Sequence, residues 1–379
     1  MSIDRRSFGL SVGAGLGLAA SSAMAQFEPW KSRHGGRGEE GGMRGGKVFT
    51  CTNSAAGNEV LVIGTDPAGA LAVVARYPTF GLGSGAGLGS QGAVTLSEDG
   101  RFLFVVNAGG NTISTFAVNA GALVLVSVHD GGGLHPISVA EYDGLVYVLN
   151  DGGAGNVAGF RNEHGVLSPL AASVQPLSAA GGTGPAQVGI GPEGDVLVVT
   201  EKNTNRLVSY ALGRNGRAGP PRVTASAGGT PFGFAFDRRN ELLVSEAAAS
   251  TLSSYRFDDR APQVPIGVSA AVPNGQGAAC WAKASPNGRF VYTGNAGTSS
   301  ISQYAIDRRG GVTLVAGAAG STAGGGAGDL AIAGHGRSLS ILAPRGPAIF
   351  SFEIERDGSL TPAGSVGSLP AGVVGLAAN

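Results

Sequence analysis

Gly92-Ala-Val-Thr-Leu-Ser-Glu-Asp-Gly100 runs into Arg101-Phe-Leu-Phe-Val-Val-Asn107, and Thr112-Ile-Ser-Thr-Phe-Ala117 follows after a short gap. A small-residue apolar run, a turn closed by glycine, an apolar run ending in Asn and a run alternating with Ser and Thr read as three short strands. The pattern returns at Ala282-Lys-Ala-Ser-Pro-Asn-Gly288, Arg289-Phe-Val-Tyr-Thr-Gly-Asn295 and Ser300-Ile-Ser-Gln-Tyr304. The turn residues locate further copies: Asp143-Gly144 before Leu145 to Asn150, Glu193-Gly194 before Asp195 to Thr200, Arg239-Asn240 before Glu241 to Ser245, and His335-Gly336 before Arg337 to Ala343. Glycine suits such turns because it adopts positive φ without strain.

The spacing of about 40–45 residues is that of a propeller blade. Counting places seven blades near 47–80, 92–130, 136–173, 185–225, 231–270, 278–319 and 326–367. The first copy lacks an innermost strand, and Ala371-Gly-Val-Val-Gly-Leu-Ala377 is a strand without a blade. Joining the two closes a ring and hides exposed sheet edges. The expectation is an all-β, seven-bladed propeller over 47–379. Two packed β-sandwiches would also give short strands, but neither a constant repeat nor an orphan strand.

Composition agrees. The 67 glycines carry no three-residue period, which excludes collagen, and a 42% hydrophobic share excludes a disordered chain. Basic and acidic side chains balance at 26 each, without a basic run that would bind nucleic acid or an anionic membrane. Cys51 and Cys280 fall in different blades and form no CxxC motif, so both read as buried thiols.

Residues 1–25 read as an export signal. Asp4-Arg5-Arg6-Ser7-Phe8 precedes a mildly apolar core at Gly9 to Ala20, and Ala23-Met24-Ala25 offers small residues for cleavage. The core is too short and too weakly apolar to span a membrane. The segment resembles the twin-arginine class of signals, which implies a periplasmic location and no membrane insertion of the mature chain. Residues 26–46 read as a glycine-rich linker.

Chemistry is expected where the innermost strands open at one end of the channel. Counting from the turns places Asp151, Glu201 and Glu246 just after the second strands of blades three to five, as an arc of carboxylates. Neighbouring carboxylates raise one another's pKa, which suits acid–base work or binding of calcium or magnesium; as turn residues they would simply face solvent. His135, in Gly-Gly-Leu-His135-Pro136, enters the channel wall of blade three and is a candidate acid–base group or a strand cap. No histidine cluster of metal type, nucleophile elbow or phosphate loop occurs, and the glycine runs at 81–89 and 324–328 read as inter-blade loops.

The seven blades, the turns Ser97-Glu98-Asp99-Gly100 and Ser285-Pro286-Asn287-Gly288, and three local motifs resemble the seven-bladed lactonase family, which includes 6-phosphogluconolactonase and carboxymuconate lactonizing enzyme. His135-Pro136 resembles the family's His-Pro motif. Pro185-Ala186-Gln187 stands where the family has Pro-Arg-His, Thr200-Glu201 where it has Asn-Glu, and Asn295-Ala296 where it has Asn-Arg. The resemblance implies catalytic roles for His135 and Glu201 and binding roles for Gln187 and Asn295, while the carboxylate arc adds Asp151 and Glu246 as binding residues that shape the mouth; no cofactor and no resident metal are expected. Both family arginines are alanines here, Ala186 and Ala296, so a phosphorylated lactone loses its anchors. Lys202 and Arg206 lie near Glu201 as substitutes or as solvated turn residues. The implied partner is a non-phosphorylated lactone, opened or formed at the channel mouth. A non-catalytic propeller that binds a periplasmic protein or small ligand is the alternative.

Overall fold

The structure, a computed structural model, describes residues 46–379 other than 67, 121, 259 and 260. The export signal and nearly all of the linker lie outside the described residues. Among the described residues regular structure is entirely β, with 29 strands and no helix. The strands form seven antiparallel sheets, each a four-layered meander from an inner to an outer strand. In blade three the outer layer is split into Val166–Pro169 and Gln175–Pro176, both paired with Asn156–Glu163.

The inner strands are Val94–Leu96, Pro136–Tyr142, Pro185–Ile190, Pro231–Phe236, Ala279–Ala284 and Leu330–Ala333 in blades two to seven. Blade one takes its inner strand from the other end of the chain. Val374–Ala378 pairs antiparallel with Val48–Cys51, with Phe49 opposite Ala377 and Cys51 opposite Val374. The expected closing strand is therefore present, starting three residues later than the sequence suggests. Gly375 is needed there: its φ is +70°, and a Cβ would lie 2.6 Å from the Val94 backbone nitrogen.

The second strand of each blade is packed between neighbouring blades, which is why Phe102–Asn107, Leu145–Asn150 and Val196–Glu201 read as near-continuous apolar runs. Tyr147, Tyr210, Tyr292 and Tyr304 are fully buried between blades. Each phenol donates to a backbone carbonyl, of Gly216, Pro176, Gly358 and Val272, at 2.7–3.3 Å. An aromatic ring fills the wedge while its hydroxyl satisfies a carbonyl that would otherwise be stranded. Cys51 and Cys280 are buried free thiols.

Candidate functional site at the channel mouth

The repeat builds one ring position twice over. The residue before the inner strand is left-handed in four successive blades: His135 (φ 55°), Gly184 (58°), Thr230 (58°) and Ala278 (55°). Its carbonyl accepts from the residue that follows the second strand: Asp151 N–H to His135 at 3.0 Å, Lys202 to Gly184 at 3.0 Å, Ala247 to Thr230 at 2.9 Å and Ala296 to Ala278 at 2.8 Å. The mouth ring is therefore Asp151, Lys202, Ala247 and Ala296.

Glu201 and Glu246 stand one residue earlier, inside the strand ends, equivalent to Asn107, Asn150 and Asn295. The expected arc of three carboxylates is thus corrected. The inner hairpin turns differ in length, because Tyr142 pairs directly with Leu145 whereas Leu96 pairs with Leu103. Counting from the turn glycine slips by one, and one residue of slip turns a strand side chain to the opposite face.

These strand-end residues staple each blade to the loop arriving from the previous one. Glu201 is fully buried and accepts from Ser178 N–H at 2.9 Å, Ser178 O–H, and Thr204 O–H at 2.5 Å. Glu246 accepts from Gly228 N–H at 2.7 Å, Ser226 at 3.0 Å, Thr251 at 2.6 Å and Ser253 at 2.8 Å. Asn295 Oδ1 accepts from Asn274 at 2.9 Å, and its amide donates to Ser300 and Ser302. Gln187 is spent in the same manner, its amide paired with both the N–H (2.7 Å) and C=O (3.0 Å) of Phe234 in the next blade. Glu201, Glu246, Asn295 and Gln187 are therefore held within the framework, and only His135 and Asp151 of the expected set reach the mouth. Asp151, Glu201 and Glu246 do not converge on a shared cation position. Among the described residues no group of three or more His, Cys, Asp or Glu side chains gathers as a metal site.

The half-buried His135 ring makes no hydrogen bond among the described residues, and Asp151 is exposed. The His135 backbone N–H is held by Asn111 Oδ1 at 2.7 Å, as Thr230 N–H is held by Asn205 at 2.7 Å. The left-handed backbone at 135 is thus a property of the repeat rather than of the histidine.

Lys202 is the residue the sequence undervalues. Its Nζ donates to Gly89 C=O at 2.6 Å and Pro185 C=O at 3.1 Å, and lies 4.9 Å from the Phe232 ring centre. An ammonium has three N–H donors, so one remains for a ligand. Burial lowers the Lys202 pKa, opposed by the nearby charge of Asp151 and by Cys280. The Cys280 thiol is pushed up to about 12 by burial, so it is not a ready nucleophile. Ala186, Phe232 and Cys280 form one buried cluster, with Trp281, Ala247, Ala278 and Ala296 packed against it. Arg345 of blade seven donates to the carbonyl of Ala296 in the adjacent blade six. Lys202 and Arg345 thus bring cations to the carbonyls of Pro185 and Ala296.

The floor of the mouth is a plug. Gln91 crosses from blade two to blade six, where its amide bonds Ala282 C=O at 2.8 Å and Ala282 N–H at 3.0 Å. Gln91 N–H donates to Ala186 C=O at 3.0 Å, and Ser90 C=O accepts from the Trp281 indole at 3.1 Å. Beyond it the channel opens into a cavity of about 310 Å³, bordered by Lys283, Glu141, Asp329 and Phe236. Asp329 is 3% exposed and latches the ring shut: its carboxylate accepts from Leu330 (2.8 Å), Gly92 (3.0 Å) and Leu376 (3.3 Å), joining blades seven, two and one. Gln91 and Asp329 carry no periodic signal, and their partners are distant in sequence, so nothing in the sequence marks them.

Residues 56–176 match the family model described as Lactonase, 7-bladed beta-propeller. No curated protein matches the chain. Among solved structures, a putative 6-phosphogluconolactonase from Bacteroides fragilis is similar at TM-score 0.66 and 17% identity, covering 90% of this chain and 100% of that one. The periplasmic gluconolactonase of Pseudomonas aeruginosa is similar at TM-score 0.66 and 17% identity, covering 87% and 98%. Virginiamycin B lyase from Staphylococcus aureus is more distant, at TM-score 0.52 and 14% identity, with 73% and 85% covered. The chain is a seven-bladed β-propeller of lactonase-like fold, and over residues 56–176 it carries the sequence pattern of the seven-bladed lactonase family.

Proposed function

We propose that this chain is an exported lactonase that adds water to a non-phosphorylated lactone at the channel mouth. The observation that carries the reading is Lys202, fixed on Gly89 and Pro185 with one donor left over, in the ring position next to Asp151. In the proposed step the His135 ring takes a proton from water as its oxygen bonds to the lactone carbonyl carbon. Negative charge developing on the carbonyl oxygen is met by Lys202. The ring C–O bond then breaks, and the proton on His135 passes to the departing alkoxide. A positioned donor at such an oxygen contributes about 10²–10³ in rate. Glu201 holds the loop and strand end that place Lys202. The Arg5-Arg6 signal and the likeness to a protein described as a periplasmic gluconolactonase support an extracytoplasmic setting.

The test is a panel of lactones, read by acid release, with the wild-type chain, Lys202→Met and His135→Gly. Turnover that falls at least 10²-fold in both variants, with the fold intact by circular dichroism, supports the reading; undiminished turnover in both defeats the residue assignment. For export, processing at Ala25 and periplasmic recovery should disappear in an Arg5→Lys/Arg6→Lys variant. A second reading, a ligand-binding propeller without turnover, is favoured by the saturation of Glu201, which leaves the mouth with one carboxylate, Asp151, from the expected arc. Saturable binding with no turnover of any lactone would select it.

A further inference from the structure

The mouth has two unlike halves. Blades three and four present His135, Asp151 and Lys202. Blades five and six present the Trp281 ring, which packs 5.1 Å from the buried Phe232 ring and is backed by Ala186, Cys280 and Ala296. Trp281 is only partly buried, and its indole N–H is already spent on Ser90 C=O at 3.1 Å, so what it can offer a ligand is the ring itself. Lys202 lies over Phe232 at 4.9 Å, at the boundary between the halves.

From this division we propose that the mouth takes a lactone bearing a flat apolar ring, an aryl lactone, in preference to a polyhydroxylated sugar lactone. The inference rests on the lactonase reading for the chemistry but not for the binding. The carbonyl end would lie toward Lys202 and the ring would lie against Trp281. A sugar lactone carries hydroxyls around its whole rim. Those turned to the Trp281 face would lose their water partners and gain none. An aryl ring loses nothing there and gains stacking contact.

The chain has two tryptophans, Trp30 and Trp281. In a Trp30→Phe background, intrinsic fluorescence reports the mouth directly, whether or not turnover occurs. Dihydrocoumarin and glucono-1,5-lactone serve as probes, with phenol release and acid release read in parallel. Dihydrocoumarin is expected to quench Trp281 saturably, and to bind or turn over at least tenfold better than gluconolactone. Trp281→Ala, followed by calorimetry and kinetics, should raise Kd or KM for dihydrocoumarin about tenfold and leave gluconolactone within twofold; Trp281→Phe should recover most of the loss. Gluconolactone preferred over dihydrocoumarin would overturn the inference and leave the lactonase reading standing. Saturable quenching by dihydrocoumarin without hydrolysis would do the reverse. An equal effect of Trp281→Ala on both probes, or none on either, also overturns the inference, and Phe232→Leu gives the same comparison if Trp281→Ala fails to fold.

Discussion

Protonation of Asp329 gives a stability effect that can be worked through from the structure. The carboxylate is 3% exposed, and burial raises its pKa from 3.8 to about 6, against the pull of the N–H donors of Gly92, Leu330 and Leu376 and the charge of Lys283. A carboxyl whose pKa is higher in the folded chain binds its proton more tightly there. Its contribution is then most favourable below the unfolded value near 3.8 and is lost as pH rises through about 6. At 1.36 kcal/mol per pKa unit the shift is worth about 3 kcal/mol in full, of which about 2 kcal/mol is lost between pH 4 and pH 7. The assay is guanidinium unfolding at half-unit steps from pH 4 to pH 8, for the wild type and Asp329→Asn. Asparagine cannot titrate, so subtracting one curve from the other removes every other carboxyl. The absolute stability of the variant also contains a donor turned toward backbone N–H groups, but that term does not vary with pH. The difference curve should fall by a few kcal/mol with a midpoint near pH 5. A flat difference, or one that rises with pH, would refute the reasoning that burial outweighs the three donors at the ring closure.

Glu201→Ala should lower unfolding free energy by about 1–3 kcal/mol, because it leaves the partly buried Ser178 and Thr204 donors without their acceptor; a denaturant midpoint measures this. Gly375→Ala should cost about 2 kcal/mol or more, from a left-handed backbone and a 2.6 Å approach to the Val94 nitrogen. Gly367→Ala, where a Cβ would meet nothing within 4 Å, is the control and should change thermal stability little. His135→Gly should stabilise the chain by about 1 kcal/mol in thermal melts, since it relieves a non-glycine residue at φ 55°, while abolishing turnover. A destabilised His135→Gly would show that the ring has packing partners that outweigh the strain.

Much of the blade architecture can be read along the chain, because its cause is local and repeated. Each glycine turn separates two short apolar runs, and each second strand is covered on both faces, so periodicity and turn chemistry report on the same hairpin seven times. The catalytic expectations were less legible. His135 stands out in the sequence because a His-Pro pair opens an inner strand. Glu201 matched a motif letter but faces inward, onto Ser178 and Thr204, because register and not residue type decides which way a strand-end side chain turns. The sequence leaves Lys202 open as a substitute cation or a solvated turn residue, and only the approach of Gly89 from another blade makes it a held cation.

Counting along the chain is enough to obtain the number of blades and the strand that must return to close the ring, since both depend on a local pattern repeated at a fixed spacing. Tertiary structure alone decided that Gln91 plugs the channel from blade two to blade six, and that Arg345 reaches Ala296 from the next blade. It also decided that Asp329 joins three blades. A ring of sheets brings together residues from distant parts of the chain, and contacts across its axis leave no periodic trace in the order of the residues that make them.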